Sequence, residues 1–156
     1  MAITANTNQL ATEFRRVAEL AGIQLTVDEP RVETLLAPHC PPNRLPTGKM
    51  AVYAFHYQGR TLKVGRVGPN SAARYTSHHY GHGRAPSTLA RSIVARQNDI
   101  DVRGITKETV GHWIKMNSDR CNFLLDASHP HRVLVLLEAF LQCRLDPLFE
   151  GPVSRR

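Results

Sequence analysis

Glu138 stands in the run VLVLLEAFL, residues 133–141, whose apolar character on nearly every side predicts a largely buried helix. A carboxylate carried into such a helix is costly unless it is paired or coordinates a cation, so Glu138 is the first candidate for chemistry. Arg74 and His78 stand four apart in NSAARYTSHHY, a spacing that puts a planar phosphate-binding fork and an imidazole on one face of a helix. Tyr53 and Lys63 lie on two stretches of β-forming residues, KMAVYAFHY and RTLKVGRV. A free tyrosine ionises near pH 10, and a neighbouring ammonium would favour its phenolate. His78, His79 and His82 cluster as well, and His78/His82 have the i, i+4 spacing of helical zinc ligands. Gly81 and Gly83 interrupt that helix and no H-E-x-x-H pattern accompanies it, so contact with phosphate is the stronger reading of these histidines.

The charge distribution gives these residues a common setting. The chain has 156 residues and a net charge of +7, distributed as −2 over residues 1–33, +9 over residues 34–98 and 0 over residues 99–156. The central block holds nine basic side chains and no carboxylate. Cations without internal partners attract polyanions through their long-range field and through counterion release, and nucleic acid is the expected partner. Arg66, His79, Arg84, Ser87 and Thr88 are expected at that interface, Ser87 and Thr88 also as a helix cap.

Other classes fall away. A hydrophobic content of 42% with 21% charged residues is that of a chain able to bury a core. The longest strictly aliphatic run, Val133 to Leu137, is far short of the ~18 residues a spanning helix needs. Glu13, Arg15 and Arg16 occupy the place of a signal peptide's apolar core, and three cysteines without C-x-x-C spacing indicate neither a disulfide framework nor a thiolate zinc site. No membrane association and a reducing cytoplasm are expected.

The elements that must position these residues follow from periodicity and punctuation. Residues 6–22 place Leu10, Phe14, Val17 and Ala21 on one helical stripe, and Glu29 to Leu36 reads as a second short helix. APHCPPNRLPTG, residues 37–48, is an extended connector and the best boundary in the chain, separating an N-terminal extension (1–47) from the main domain (48–156). Beyond it, Gln58-Gly59 joins residues 49–57 and 60–67 as a hairpin. Helices are expected from Asn70 or Ser71 through Tyr80, from Ser87 through Gln97, from Thr106 through Asn117 and from Pro130 or His131 to Leu145, with a third strand at 120–127. Trp113 and Phe140 are expected in the core and Glu150 on the surface.

Taken in order, Ala51-Val52-Tyr53, Lys63-Val64-Gly65, Arg74 with His78, and Glu138 resemble the hallmarks of the GIY-YIG nuclease superfamily: two tripeptides on adjacent strands, an arginine on the next helix and a metal-binding glutamate on a later one. The resemblance spans about residues 49–151, two thirds of the chain. Ala51 stands where the family has its first glycine and Lys63 where it has its second tyrosine, as in some restriction enzymes that resemble this superfamily. The resemblance implies an α/β (α+β) fold with a small three-stranded antiparallel sheet flanked by helices, here with the N-terminal helical extension. It implies hydrolysis of DNA phosphodiesters, with Tyr53 as general base assisted by Lys63, Arg74 stabilising the phosphate, His78 orienting water or phosphate, and Glu138 holding Mg²⁺ or Mn²⁺. A protein that kept the scaffold as a catalytically inactive nucleic-acid-binding module is the alternative, for which Lys63 is the argument. RNA is a second candidate substrate, and the N-terminal helix a candidate surface for a homodimer or a protein partner.

Overall fold

A computed structural model of the chain describes residues 2–83 and 88–150. The apolar run KMAVYAFHY forms strand β2 (Lys49–Tyr57), buried at seven consecutive positions. Such continuous burial, instead of alternation, marks a strand covered on both faces. Gln58 and Gly59 adopt positive φ (48° and 76°) and turn the chain into β3 (Arg60–Val67), which pairs with β2 in antiparallel register. The equally apolar DRCNFLLD forms β4 (Asp119–Asp126) on the other side of β2.

A further strand completes the sheet. Residues Arg31–Leu35 form β1, antiparallel to β4, so the sheet has four strands in the order β1-β4-β2-β3 and not the three expected from the family resemblance. The helix expected from Glu29 to Leu36 is thereby corrected. Val32 and Thr34 are β-branched, and the free edge of β4 offers hydrogen bonds that a single helical turn could not replace. Glu29 anchors the strand's start: its carboxylate accepts from the backbone N–H groups of Thr26 and Asp126 and pairs with His129 at 2.8 Å.

Each face of the sheet carries its own apolar layer. Against one face pack α1 (Ala2–Leu20) and α5 (His131–Leu145), through Leu10, Phe14 and Ala18 of the first and Val133, Leu134, Leu137 and Leu141 of the second, over Met50, Val52, Ala54, Val64 and Phe123. The apolar stripe of α1 is thus used within the chain, with the Phe14 and Phe140 rings 5.7 Å apart. Against the other face lie α2 (Ala72–Thr76), α3 (Leu89–Ala95) and α4 (Val110–Asn117), over Ala51, Tyr53, Phe55, Leu62 and Leu124. Short 3₁₀ turns at His78–Tyr80 and Gln97–Ile100 link these helices. The helix expected through Tyr80 ends at Thr76, and the chain re-enters the core at His79.

The edge strand β3 is closed by the segment that follows α5. Leu148 donates its N–H to the Thr61 carbonyl (3.0 Å) and Phe149 to that of Leu62 (2.8 Å). Among the described residues no helix is long and apolar enough to cross a membrane.

Candidate functional site

Residues directly opposite in an antiparallel pair share a face, so the register sorts the site into rows. Gly65, Tyr53 and Asn122 form one row across β3, β2 and β4, and Lys63, Phe55 and Arg120 form the next. Both rows face the α2–α4 side. Gly65 is required by the first row: the Tyr53 ring lies across it, and a Cβ there would stand 2.5 Å from the Tyr53 hydroxyl.

The partner of Tyr53 is His79, whose Nε2 lies 2.5 Å from the Tyr53 Oη. Both residues are buried. The other ring nitrogen, Nδ1, lies 3.1 Å from the backbone N–H of Leu89 at the start of α3. A backbone N–H can only donate, so Nδ1 accepts, and the neutral ring must carry its proton on Nε2 and present it to the tyrosine oxygen. Burial holds the His79 pKa well below the usual imidazole value, and Lys63, Arg120, Arg74 and His78 push it the same way. Burial also raises the Tyr53 pKa far above the ordinary phenol value, against the pull of Arg74 and Arg120. Expected among the phosphate contacts, His79 is instead an internal donor. His78, expected one helical turn from Arg74, is exposed beyond the end of α2 and shares no helix with it.

Lys63, expected beside the Tyr53 oxygen, directs its ammonium to the Phe149 carbonyl at 3.2 Å. Burial lowers its pKa, while Glu150 and Glu138 favour its charge. Glu150, read from the sequence as a surface residue, is half-buried here. Its carboxylate accepts from the Val64 N–H (3.2 Å) and from Gln142 Nε2 (2.6 Å), and burial raises its pKa. Glu138 forms an ion pair with Arg66, a residue expected to face nucleic acid. Arg74 is exposed on α2, yet its charge reaches Tyr53, Lys63 and His79. Tyr53 and Lys63 therefore both feel the positive charge of Arg74 and the opposing charges of Glu138 and Glu150.

Arg120 was also missed. It is fully buried in β4, two positions from Asn122 and on the same face, an alternation of polar groups within an otherwise apolar strand that was the available signal. Of the remaining expected contacts, Thr88 is buried and caps α3 by accepting from the Arg91 N–H, while Arg84 and Ser87 lie outside the described residues.

Among the described residues no three His, Cys, Asp or Glu side chains gather to hold a metal by themselves. Glu138 and Glu150, whose charges both act on Tyr53 and Lys63, are hard oxygen donors of the kind Mg²⁺ takes one or two at a time with phosphate and water, and the Glu138 charge adds to the burial that raises the Glu150 pKa. Comparison of the chain with protein-family models, with curated proteins and with solved structures finds no match.

Proposed function

We propose that the protein is a divalent-metal-dependent endonuclease that hydrolyses DNA phosphodiester bonds. One observation carries this reading: a buried tyrosine and a buried lysine on neighbouring strands share the field of an exposed arginine and of two carboxylates at a single edge of the sheet. The GIY-YIG-like order of Tyr53, Lys63, Arg74 and Glu138 and the carboxylate-free block at residues 34–98 agree with it.

In this mechanism Arg74, solvent-facing, binds the phosphate and stabilises the charge that develops on it. Tyr53 is the general base, held in place by the His79 donor and by the flat floor at Gly65. Lys63 fixes the segment that brings Glu150 to the site, through the Phe149 carbonyl. Glu138 and Glu150 would hold Mg²⁺ or Mn²⁺, which when bound supplies Lewis-acid polarisation of the phosphate and offsets the two negative charges that oppose ionisation of Tyr53. The second reading, a catalytically inactive nucleic-acid-binding module, is favoured by the Arg66–Glu138 pair, which already neutralises one carboxylate.

The test is relaxation and linearisation of supercoiled plasmid with Mg²⁺ and with chelator, by the wild type and by Glu138→Ala. Cleavage by the wild type with Mg²⁺, lost in chelator and reduced at least ~100-fold in Glu138→Ala, is expected, given that one site group can supply several kcal/mol of transition-state stabilisation. Cleavage that survives both treatments overturns the metal mechanism, and retention of plasmid without cutting selects the binding module.

A further inference from the structure

Arg120 is 0% exposed, yet it has no carboxylate partner among the described residues. Its guanidinium donates only to neutral oxygens: Nε to Asn122 Oδ1 (2.8 Å), Nη1 to Tyr80 Oη (3.2 Å) and Nη2 to the Tyr75 carbonyl (2.7 Å). Four rings enclose it, with centroids 4.8 Å (Tyr75), 5.2 Å (Phe55), 5.3 Å (Tyr53) and 6.0 Å (Tyr80) from its central carbon. The support extends further. His39 Nδ1 lies 2.9 Å from the Ser118 carbonyl, so it donates there and leaves Nε2 to accept the Tyr80 hydroxyl at 2.8 Å. Asn122 leaves its Nδ2 without a partner to keep its oxygen on the arginine.

A buried charge held by neutral groups is expensive, and an apolar side chain of similar volume commonly packs such a position at lower cost. What the charge provides is potential at its neighbours, and Tyr53 is the neighbour in the proposed site. We propose that Arg120 is a positioning residue for the Tyr53 oxygen: a sealed, permanent cation under the ring that favours the phenolate the proposed hydrolysis needs. This rests on the nuclease reading for its purpose but not for its measurement.

The other groups that act on Tyr53 cannot replace it. Arg74 from α2 favours the phenolate at least as strongly as Arg120 does, but it is exposed, so its part weakens with salt and changes when it binds phosphate. His79 from the turn after α2 is neutral, and Lys63 from β3 is turned to Phe149. Glu138 from α5 and Glu150 from the C-terminal segment oppose ionisation. Arg120 is the cation whose field is neither screened nor spent on a carboxylate.

The experiment places trifluorotyrosine at position 53, whose greater acidity brings ionisation into a range the folded protein survives, and follows its ¹⁹F shift against pH. It does so in the otherwise wild-type chain and in the Arg120→Lys, Arg120→Met and Arg120→Gln backgrounds, with folding checked by circular dichroism. The ionisation constant is expected to fall by about tenfold or more, a midpoint one pH unit higher, in Arg120→Met and Arg120→Gln, and by much less in Arg120→Lys. Should Arg120→Met fail to fold, the Lys and Gln variants carry the comparison. Equal midpoints in the charged and neutral variants overturn the proposal. With Tyr53 native, plasmid cleavage by Arg120→Gln is expected to shift to higher pH with duplex binding unchanged, whereas an unshifted profile also overturns it. If the wild type cuts nothing, the nuclease reading fails while the ¹⁹F midpoints still decide the field of Arg120.

Discussion

At the scale of single residues, the site depends on what is missing at position 65. The Tyr53 ring occupies the space where a side chain on Gly65 would be, and the hydroxyl reaches His79 only because it lies that flat. Gly65→Ala is therefore expected to push the ring aside, costing about 1–3 kcal/mol as overpacking usually does, and to remove most cleavage while leaving DNA binding in place. Urea denaturation and the plasmid assay check this together. An alanine variant as stable and as active as the wild type would show that the ring does not rest on the strand. Tyr53→Phe separates the two roles of the tyrosine: it keeps the ring on its floor and removes the oxygen, so cleavage should fall far more than binding, measured by plasmid cutting beside duplex retention.

At the scale of elements, the helices on the Tyr53 side are short, and all three touch the turn at His78–Tyr80. Gly111 on α4 sits against the Tyr80 carbonyl so closely that a Cβ would collide with it. Alanine is better than glycine in a helix interior by about 1 kcal/mol, but here the collision must outweigh that gain. Gly111→Ala is expected to lower the stability by roughly 1–2 kcal/mol net of the propensity, read as a drop in the denaturation midpoint without a change in slope. A stabilised variant would show that the turn yields freely.

The same elements explain what could be read from the sequence. Strands β2 and β3, their turn at Gln58-Gly59 and helix α5 were legible because each carries its signal locally, as an apolar run or an end marker. Strand β1 was not, since a five-residue stretch with mixed pattern becomes a strand through pairing with β4, far away in the chain. The facing of Tyr53 and Gly65 was not, since a regular two-residue hairpin would set Tyr53 opposite Val64, and the bulge at Phe55/His56 moves every pair beyond it by one residue. The alternation of Arg120 and Asn122 marks a shared polar face but not its burial, and Glu150 carries no local signal, because burial of a charge is decided by tertiary partners, Asn122, Tyr80 and Tyr75 for one and Val64 and Gln142 for the other.

At the scale of the whole molecule, three histidines are kept neutral by burial: His39, His56, whose pKa falls to about 4, and His79. A group whose pKa is lower folded than unfolded binds more protons when the chain opens, so stability declines as pH falls from the unfolded value toward the folded one. For His56 the window runs from pH 6.5 to about 4. A shift of that size corresponds to about 3 kcal/mol across the window. Glu29, with its pKa lowered through His129 and two backbone donors despite burial, adds to the loss at more acid pH, whereas Glu150, raised by burial, works the other way there. Denaturation midpoints are expected to fall steadily below pH 6.5, and His56→Gln should flatten the decline; an equal slope in that variant would exclude His56 as its source.

The strand order also sets a timetable. β4 lies between β1 and β2 although it is the last strand to leave the ribosome, so a nascent chain can form only the β2–β3 hairpin of the finished sheet. Until β4 inserts, Arg31–Leu35 has no neighbour, the row of Tyr53 and Gly65 lacks Asn122, and the aromatic enclosure has no arginine to hold. Pairings this distant form late because the intervening chain must close first. The one insertion event that seals the sheet is then also the event that arms the site, and a chain interrupted before residue 119 would carry the tyrosine, lysine and arginine without the strand that makes them a unit.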